Sequence, residues 1–347
     1  MRLEFWILDV GQAVEDGVSK VLIWGVDSNN DRVLVKDDDF PPYFYVVPEE
    51  GVDFKMLVES LKGLSISESP ILEVSVVKRK MFGKERDVVR VVFQNFDYAS
   101  KYVKAFKKVE GVEDFLEVDI RHYVRYLVDK RIRPCGWYSA EVQELGSLKN
   151  SRCMVYRLVG ELKPLERMDL PVLRVLAFDI EVYSPSGALN PEKDPVIIIS
   201  TVTNGGVEKQ FVAKDSEDRD VLKEFVEYVT GFDPDVIVGY DSNFFDFPFL
   251  ISRAKRLQVK FAVCRDGSDP HLSVYGHVSV AGRAHLDLYD MSEMVVEVKV
   301  KTLKNIADYL KVMVKDSRVL IDHAQIPKYW DDKNLREQLL LYAAQDA

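Results

Sequence analysis

Leu176-Ala177-Phe178-Asp179-Ile180-Glu181-Val182 is an apolar run interrupted by two acids, two residues apart. Side chains on a strand alternate between faces, so Asp179 and Glu181 leave on the same side. Charges within such a run are costly to bury unless they are paired or bound to a metal. The plain explanation is an edge strand with one solvated face. An isolated D-x-E does not rule that out.

Toward the C-terminus the pattern is α/β. Residues 172–182 read as a strand. Val196–Thr203 reads as another, followed by the hairpin signal Asn204-Gly205-Gly206 and a partner strand at 210–213. Asp215 or Ser216 is expected to cap a helix that buries Val221, Leu222, Phe225, Val226 and Val229. A short strand at 235–239 precedes a helix at 247–257, with Pro248 in its first turn, where proline is tolerated. Two further helices are expected near 302–312 and 334–346. Toward the N-terminus, residues 1–133 are strand-rich, with β-branched or aromatic runs at 21–24, 43–47 and 88–93 and a helical period at 98–109. Residues 134–170 are irregular and read as a connecting segment. The expected organisation is an α+β domain at 1–133, the connector at 134–170, and an α/β domain at 171–347.

Two more acids stand out. Asp246 lies in Phe244-Phe245-Asp246-Phe247-Pro248-Phe249, after the 235–239 strand and at the mouth of a helix. Its plain role would be a helix N-cap. Tyr342 and Asp346 are four apart on the last helix, so they share a face, and Leu335 and Leu339 continue that face. That stripe should pack inward and carry Asp346 with it. Each feature alone is weak. Strand D-x-E, then loop-FD-helix, then helix Y-x-x-x-D, in one α/β unit, is far more specific. Four convergent carboxylates suit hard divalent cations such as Mg²⁺ or Mn²⁺. Two such ions about 3.5–4 Å apart can activate water and stabilise a leaving oxygen in phosphoryl hydrolysis.

The 347 residues suggest two domains. No segment approaches the roughly 20 apolar residues of a membrane span, and no signal peptide is evident. Cys135, Cys153 and Cys264 are far apart and form no C-x-x-C pair, which fits a reducing cytoplasm and argues against a zinc site. The net charge of −10 lacks the overall basic surplus common in nucleic-acid binders. Basic residues do cluster locally, at Lys78-Arg79-Lys80 with Lys84 and Arg86, at Lys101, Lys104, Lys107 and Lys108, and at Lys299, Lys301 and Lys304. A solvated face is the plain reading of each.

The acids and their surroundings resemble the three exonuclease motifs of family B DNA polymerases, most closely the archaeal enzymes. Leu176-Ala177-Phe178-Asp179-Ile180-Glu181 is similar to the first motif, Gly239-Tyr240-Asp241-Ser242-Asn243-Phe244-Phe245-Asp246 to the second, and Tyr342-Ala343-Ala344-Gln345-Asp346 to the third. Arg265-Asp266-Gly267-Ser268, His285-Leu286-Asp287-Leu288-Tyr289, Phe40-Pro41-Pro42-Tyr43-Phe44-Tyr45 and Arg125-Tyr126-Leu127-Val128-Asp129-Lys130 also resemble family segments. Residues 135–165 look like an insertion.

The resemblance implies a ribonuclease-H-like 3′→5′ proofreading exonuclease domain behind an amino-terminal, template-reading domain, in the cytoplasm near the nucleoid. It implies that Asp179, Glu181, Asp246 and Asp346 hold two Mg²⁺ or Mn²⁺ ions and that Tyr342 places the attacking water. Asp241, Asn243 and Phe245 would meet DNA, whether a single-stranded 3′ end or a template strand. Asp241 departs from the asparagine usual at its position. Pro42 and Arg125 match a uracil-sensing pocket, whereas Arg121 and His122 replace its usual proline and phenylalanine. A non-catalytic, uracil-sensing binding module is therefore the alternative reading, and action on RNA a third. The palm, fingers and thumb motifs are absent, so the chain resembles an amino-terminal piece that would not polymerise DNA without those domains or a second subunit.

Overall fold

The computed structural model describes residues 1–148, 153–273, 276–312 and 318–347. The chain forms two compact units, one of Met1–Ser147 with Cys153–Asp169 and one from Leu170 to Ala347.

The first unit contains two sheets. β1 (Arg2–Glu15), β2 (Val18–Asp27) and β3 (Arg32–Asp37) form one side of a six-stranded sheet. In the second sheet, β4 (Tyr43–Pro48) is followed by α1 (Phe54–Lys62), then by the hairpin of β5 (Ile71–Met81) and β6 (Lys84–Phe93). α2 (Ala99–Phe106) and β7 (Val112–Leu116) complete it, in the order β5-β6-β4-β7. Leu57, Leu61, Tyr102 and Phe106 from the two helices bury against Phe44, Val46, Val89 and Val91. α3 (His122–Asp129) follows.

β8 (Trp137–Ser147), β9 (Met154–Leu158) and β10 (Lys163–Pro164) lie inside the stretch read from sequence as a connector. β9 pairs in parallel with β3, and β8 pairs antiparallel with β1, so these strands complete the first sheet. Their partners lie more than 100 residues away, which local composition does not reveal.

The second unit is built on a five-stranded mixed sheet. Its strands are β11 (Val175–Val182), β12 (Val196–Thr203), β13 (Glu208–Val212), β14 (Val236–Gly239) and, after the short pair β15 (His271–Leu272) and β16 (Val278–Ser279), β17 (Ala284–Asp287). The order is β13-β12-β11-β14-β17, antiparallel from β11 outward to β13 and parallel from β11 to β17. This is the α/β arrangement that the sequence pattern predicts. The helices are α4 (Arg219–Phe232), α5 (Phe247–Leu257), α6 (Leu288–Ser292), α7 (Leu303–Leu310), α8 (Ile326–Asp331) and α9 (Arg336–Asp346). Ile197, Ile199, Phe225, Phe247, Leu250 and Leu339 share one core.

α4 begins at Arg219, so neither Asp215 nor Ser216 caps it; both have positive φ in the turn before it. Asp218 occupies the cap position. Its carboxylate instead accepts from the Val196 amide and from Arg253, tying the helix start to β12 and α5.

Candidate functional site

β11 is the central strand of the second unit, and its alternation sets the site. Leu176, Phe178 and Ile180 enter the core, while Asp179 and Glu181 emerge together on the other face. Next to β11, β14 ends at Gly239, and the wide helical turn Ser242–Asp246 swings the chain back toward β11 before α5 starts. A Cβ at Gly239 would lie 2.5 Å from the Ser242 Cβ, so the turn closes only over glycine. Asp246 has helical backbone angles and its side chain makes no capping hydrogen bond. The N-cap role is thus not the one it plays. Its side chain is buried, and Oδ2 has no hydrogen-bond partner among the described residues.

α9 supplies the third element. Leu339 and Tyr342 are buried, and Asp346 shares their face, as the helical spacing predicts. The helix is fastened to the sheet by the Gln210 amide, which donates to the Leu340 carbonyl and to Ser200 Oγ.

The result is one cleft of about 660 Å³, lined by Asp179, Glu181, Asp246, Tyr342 and Asp346, with Asp241 and Phe245 also on its wall. Carboxylate oxygens of Asp179, Glu181 and Asp346 lie within 4.8 Å of one another. Burial, and next the Asp346 charge, pushes Asp179 up to about 8. Burial and then Asp179, Asp346 and Asp246 push Glu181 well above the usual carboxylate range. Asp246 is raised likewise, by burial and then by Asp179, Asp241 and Asp287. Tyr342 is also raised, by burial and then by Glu181 and Asp346, so its hydroxyl stays a donor at neutral pH. The cleft crowds carboxyl groups together, with Lys301, Lys304 and Arg318 as cations on the same wall.

Arg318 is the cation that the sequence reading missed. It pairs with Asp346, and both side chains are less than a tenth exposed. The neighbouring Val319 amide donates to Gln345 Oε1 at 2.8 Å, so this segment is tied to α9 twice. No local pattern marks Arg318 in the sequence. Asp287 was also overlooked as a support. Its carboxylate accepts from the Asp241 and Asn243 amides at 2.8 and 2.7 Å, while His285, two residues earlier, bonds Ser242 Oγ at 2.9 Å. β17 therefore clamps the turn that carries Asp246.

The remaining candidates divide. Phe245 packs on Phe249 and stays partly open to the cleft. Asn243, expected among the DNA contacts, is buried. Its amide donates to Asp290 and its oxygen accepts from the Val278 amide, so it holds the turn internally. Pro42 and Arg125 lie in the first unit and are buried. The Arg125 guanidinium donates to the side chain and carbonyl of Glu117 and stacks 4.1 Å from the Tyr43 ring. His122 sits between Phe40 and Phe96, pushed down to about 4 by burial and then by Arg125.

Comparison with known proteins accords with this geometry. Residues 113–306 match the family model for the DNA polymerase family B exonuclease domain, a span that includes Asp179, Glu181 and Asp246. DNA polymerase 2 of Aeropyrum pernix is 40% identical over 99% of this chain and 44% of its own length. The DNA polymerase of Archaeoglobus fulgidus is 31% identical over all of this chain and 42% of its own. The solved structure of the family B DNA polymerase from Pyrobaculum calidifontis superimposes with a TM-score of 0.90 at 41% identity, covering all of this chain and 44% of that one. The chain thus spans less than half the length of these relatives. No helix among the described residues is long and apolar enough to cross a membrane. The chain belongs to the archaeal-type family B DNA polymerases and carries their exonuclease domain.

Proposed function

We propose that the second unit is a 3′→5′ exonuclease that removes nucleotides from single-stranded or frayed DNA 3′ ends, and so proofreads during DNA replication. The observation that carries this is the set of four cleft carboxylates, of which Asp346 alone is ion-paired among the described residues, to Arg318.

The donor set fits divalent cations. It consists wholly of oxygens, three of them close enough to share ions, and Asp246 Oδ2 is buried without a hydrogen-bond partner among the described residues. Asp179, Glu181, Asp246 and Asp346 would hold two Mg²⁺ or Mn²⁺ ions, which supply an activated water and stabilise the departing 3′ oxygen. Tyr342 donates its hydroxyl toward the same space and orients the attacking water. Phe245 offers a ring against the terminal base, and Asp241 stands beside the path of the strand. The clamp from Asp287 and His285 holds Asp246 at a fixed distance from β11. Arg318 faces the scissile phosphate once Asp346 is otherwise engaged. DNA is the expected partner, together with the polymerase domains or subunit that completes the relatives, in the cytoplasm near the nucleoid.

The test is metal-dependent shortening of 5′-labelled single-stranded DNA, with matched RNA alongside. Asp179→Ala combined with Glu181→Ala should slow it by roughly a hundredfold or more. Shortening that survives this double change, or needs no divalent cation, sinks the assignment. Preferential attack on RNA redirects it to a ribonuclease.

A further inference from the structure

The hairpin of β5 and β6 outgrows its sheet. β6 pairs with β4 only at residues 89–92, whereas the hairpin itself continues through Lys78↔Asp87, Arg79↔Arg86 and Lys80↔Glu85 to Met81↔Lys84. The outer pairs therefore form a two-stranded arm. Two residues close it, Phe82 at φ 49° and Gly83 at φ 82°. Two-residue hairpin turns with both φ values positive strongly favour Asn, Asp or Gly at the first position. A bulky side chain there is uncommon and costs backbone strain. The strain gains no packing, because the Phe82 ring is 102% exposed.

The charges around it are one-sided. Residues 78–87 hold five basic side chains against two acidic ones, on a chain of net charge −10. Lys78 is paired with Asp87 and Arg86 with Glu113, and Arg79 donates to the Tyr45 hydroxyl. Lys80 and Lys84, nearest the tip, are exposed and make no ion pair among the described residues.

We infer that this arm is a binding site for single-stranded nucleic acid, with Phe82 stacking on an unpaired base and Lys80 and Lys84 meeting the flanking phosphates. An aromatic face between cations is the chemistry that binds single strands without sequence preference. A duplex keeps its base faces stacked and offers the ring nothing. The charge complementarity names a polyanion, and the exposed ring selects one with free π-faces. The site lies in the first unit and does not depend on the nuclease reading.

The experiment is fluorescence anisotropy of a labelled oligothymidylate with the 347-residue chain, in EDTA so that binding is read without hydrolysis. Phe82→Ala should weaken binding about fivefold or more, and Phe82→Trp should restore it. Phe82→Asn should weaken binding equally while leaving Tm unchanged or raised, because asparagine tolerates the left-handed turn. Lys80→Gln with Lys84→Gln should reduce the slope of log affinity against log salt by about 1.4. Unchanged affinity in Phe82→Ala or Phe82→Asn overturns the inference. So does a loss seen only with phosphatidylserine vesicles or only with duplex DNA.

Discussion

Asp233 and Asp235, just before β14, and Asp179 and Glu181, on β11 beside it, are acids of one sheet kept under opposite conditions. Asp233 is met by Arg265, Arg283 and Arg174 at 2.7 to 2.9 Å, and Asp235 by Arg265 at 2.6 Å. Burial alone would raise Asp233, yet Arg265 and Arg283 hold it below the usual carboxylate range. In the cleft the acids face one another, and Asp179, Glu181 and Asp246 are all raised. Buried acids with guanidinium partners are architecture. Asp179, Glu181 and Asp246, which have no ion pair among the described residues, are a place kept for cations from solution.

The contrast can be broken by mutation. Asp233→Ala leaves the buried Arg283 without its acid partner and Arg265 with Asp235 alone, and should cost about 3–5 kcal/mol, read by denaturant unfolding. A milder loss would mean that the arginines find other acceptors.

pH separates the two sets next. A carboxyl whose folded pKa is raised binds more protons folded than unfolded, so stability falls as pH climbs toward the folded value. Asp179, pushed up to about 8, places that fall between about pH 4 and pH 8. Asp233 acts in reverse, stabilising above its unfolded pKa and losing this as pH falls. In EDTA the chain should lose about 2 kcal/mol from pH 5 to pH 8, and Mn²⁺ should restore it at pH 8. A flat profile would show that the cleft acids are not strained against each other.

Asp246→Asn should raise metal-free stability by about 1 kcal/mol while abolishing hydrolysis, the opposite sign to Asp233→Ala. The smallest effect belongs to Arg318→Gln. Removing the competitor for Asp346 should lower half-saturating Mn²⁺ roughly threefold, measured by thermal shift.

Much of the site was legible because its geometry is local. Strand alternation put Asp179 and Glu181 on one face, and helical spacing put Asp346 with Tyr342. What was not legible is long-range. Arg318 reaches Asp346 across 28 residues without a periodic signal. The clamp from Asp287 onto the Asp241 and Asn243 amides spans more than 40 residues. Residues 134–170 read as irregular because their strands take their meaning from β1 and β3. Asp246 looked like a cap because Asp before Phe-Pro often is one. Only the turn at Ser242–Asp246 shows it turned inward instead.

The four acids lie on three stretches of chain between residues 179 and 346, so in the unfolded polypeptide they are strangers. Asp346 joins the other three only through α9, so the repulsion is complete only once that helix has docked. We expect that docking to follow the folding transition state, so that the cost of the cleft falls late. It should shorten the lifetime of the native state more than it slows the approach to it, and a divalent cation should act mainly as a brake on unfolding.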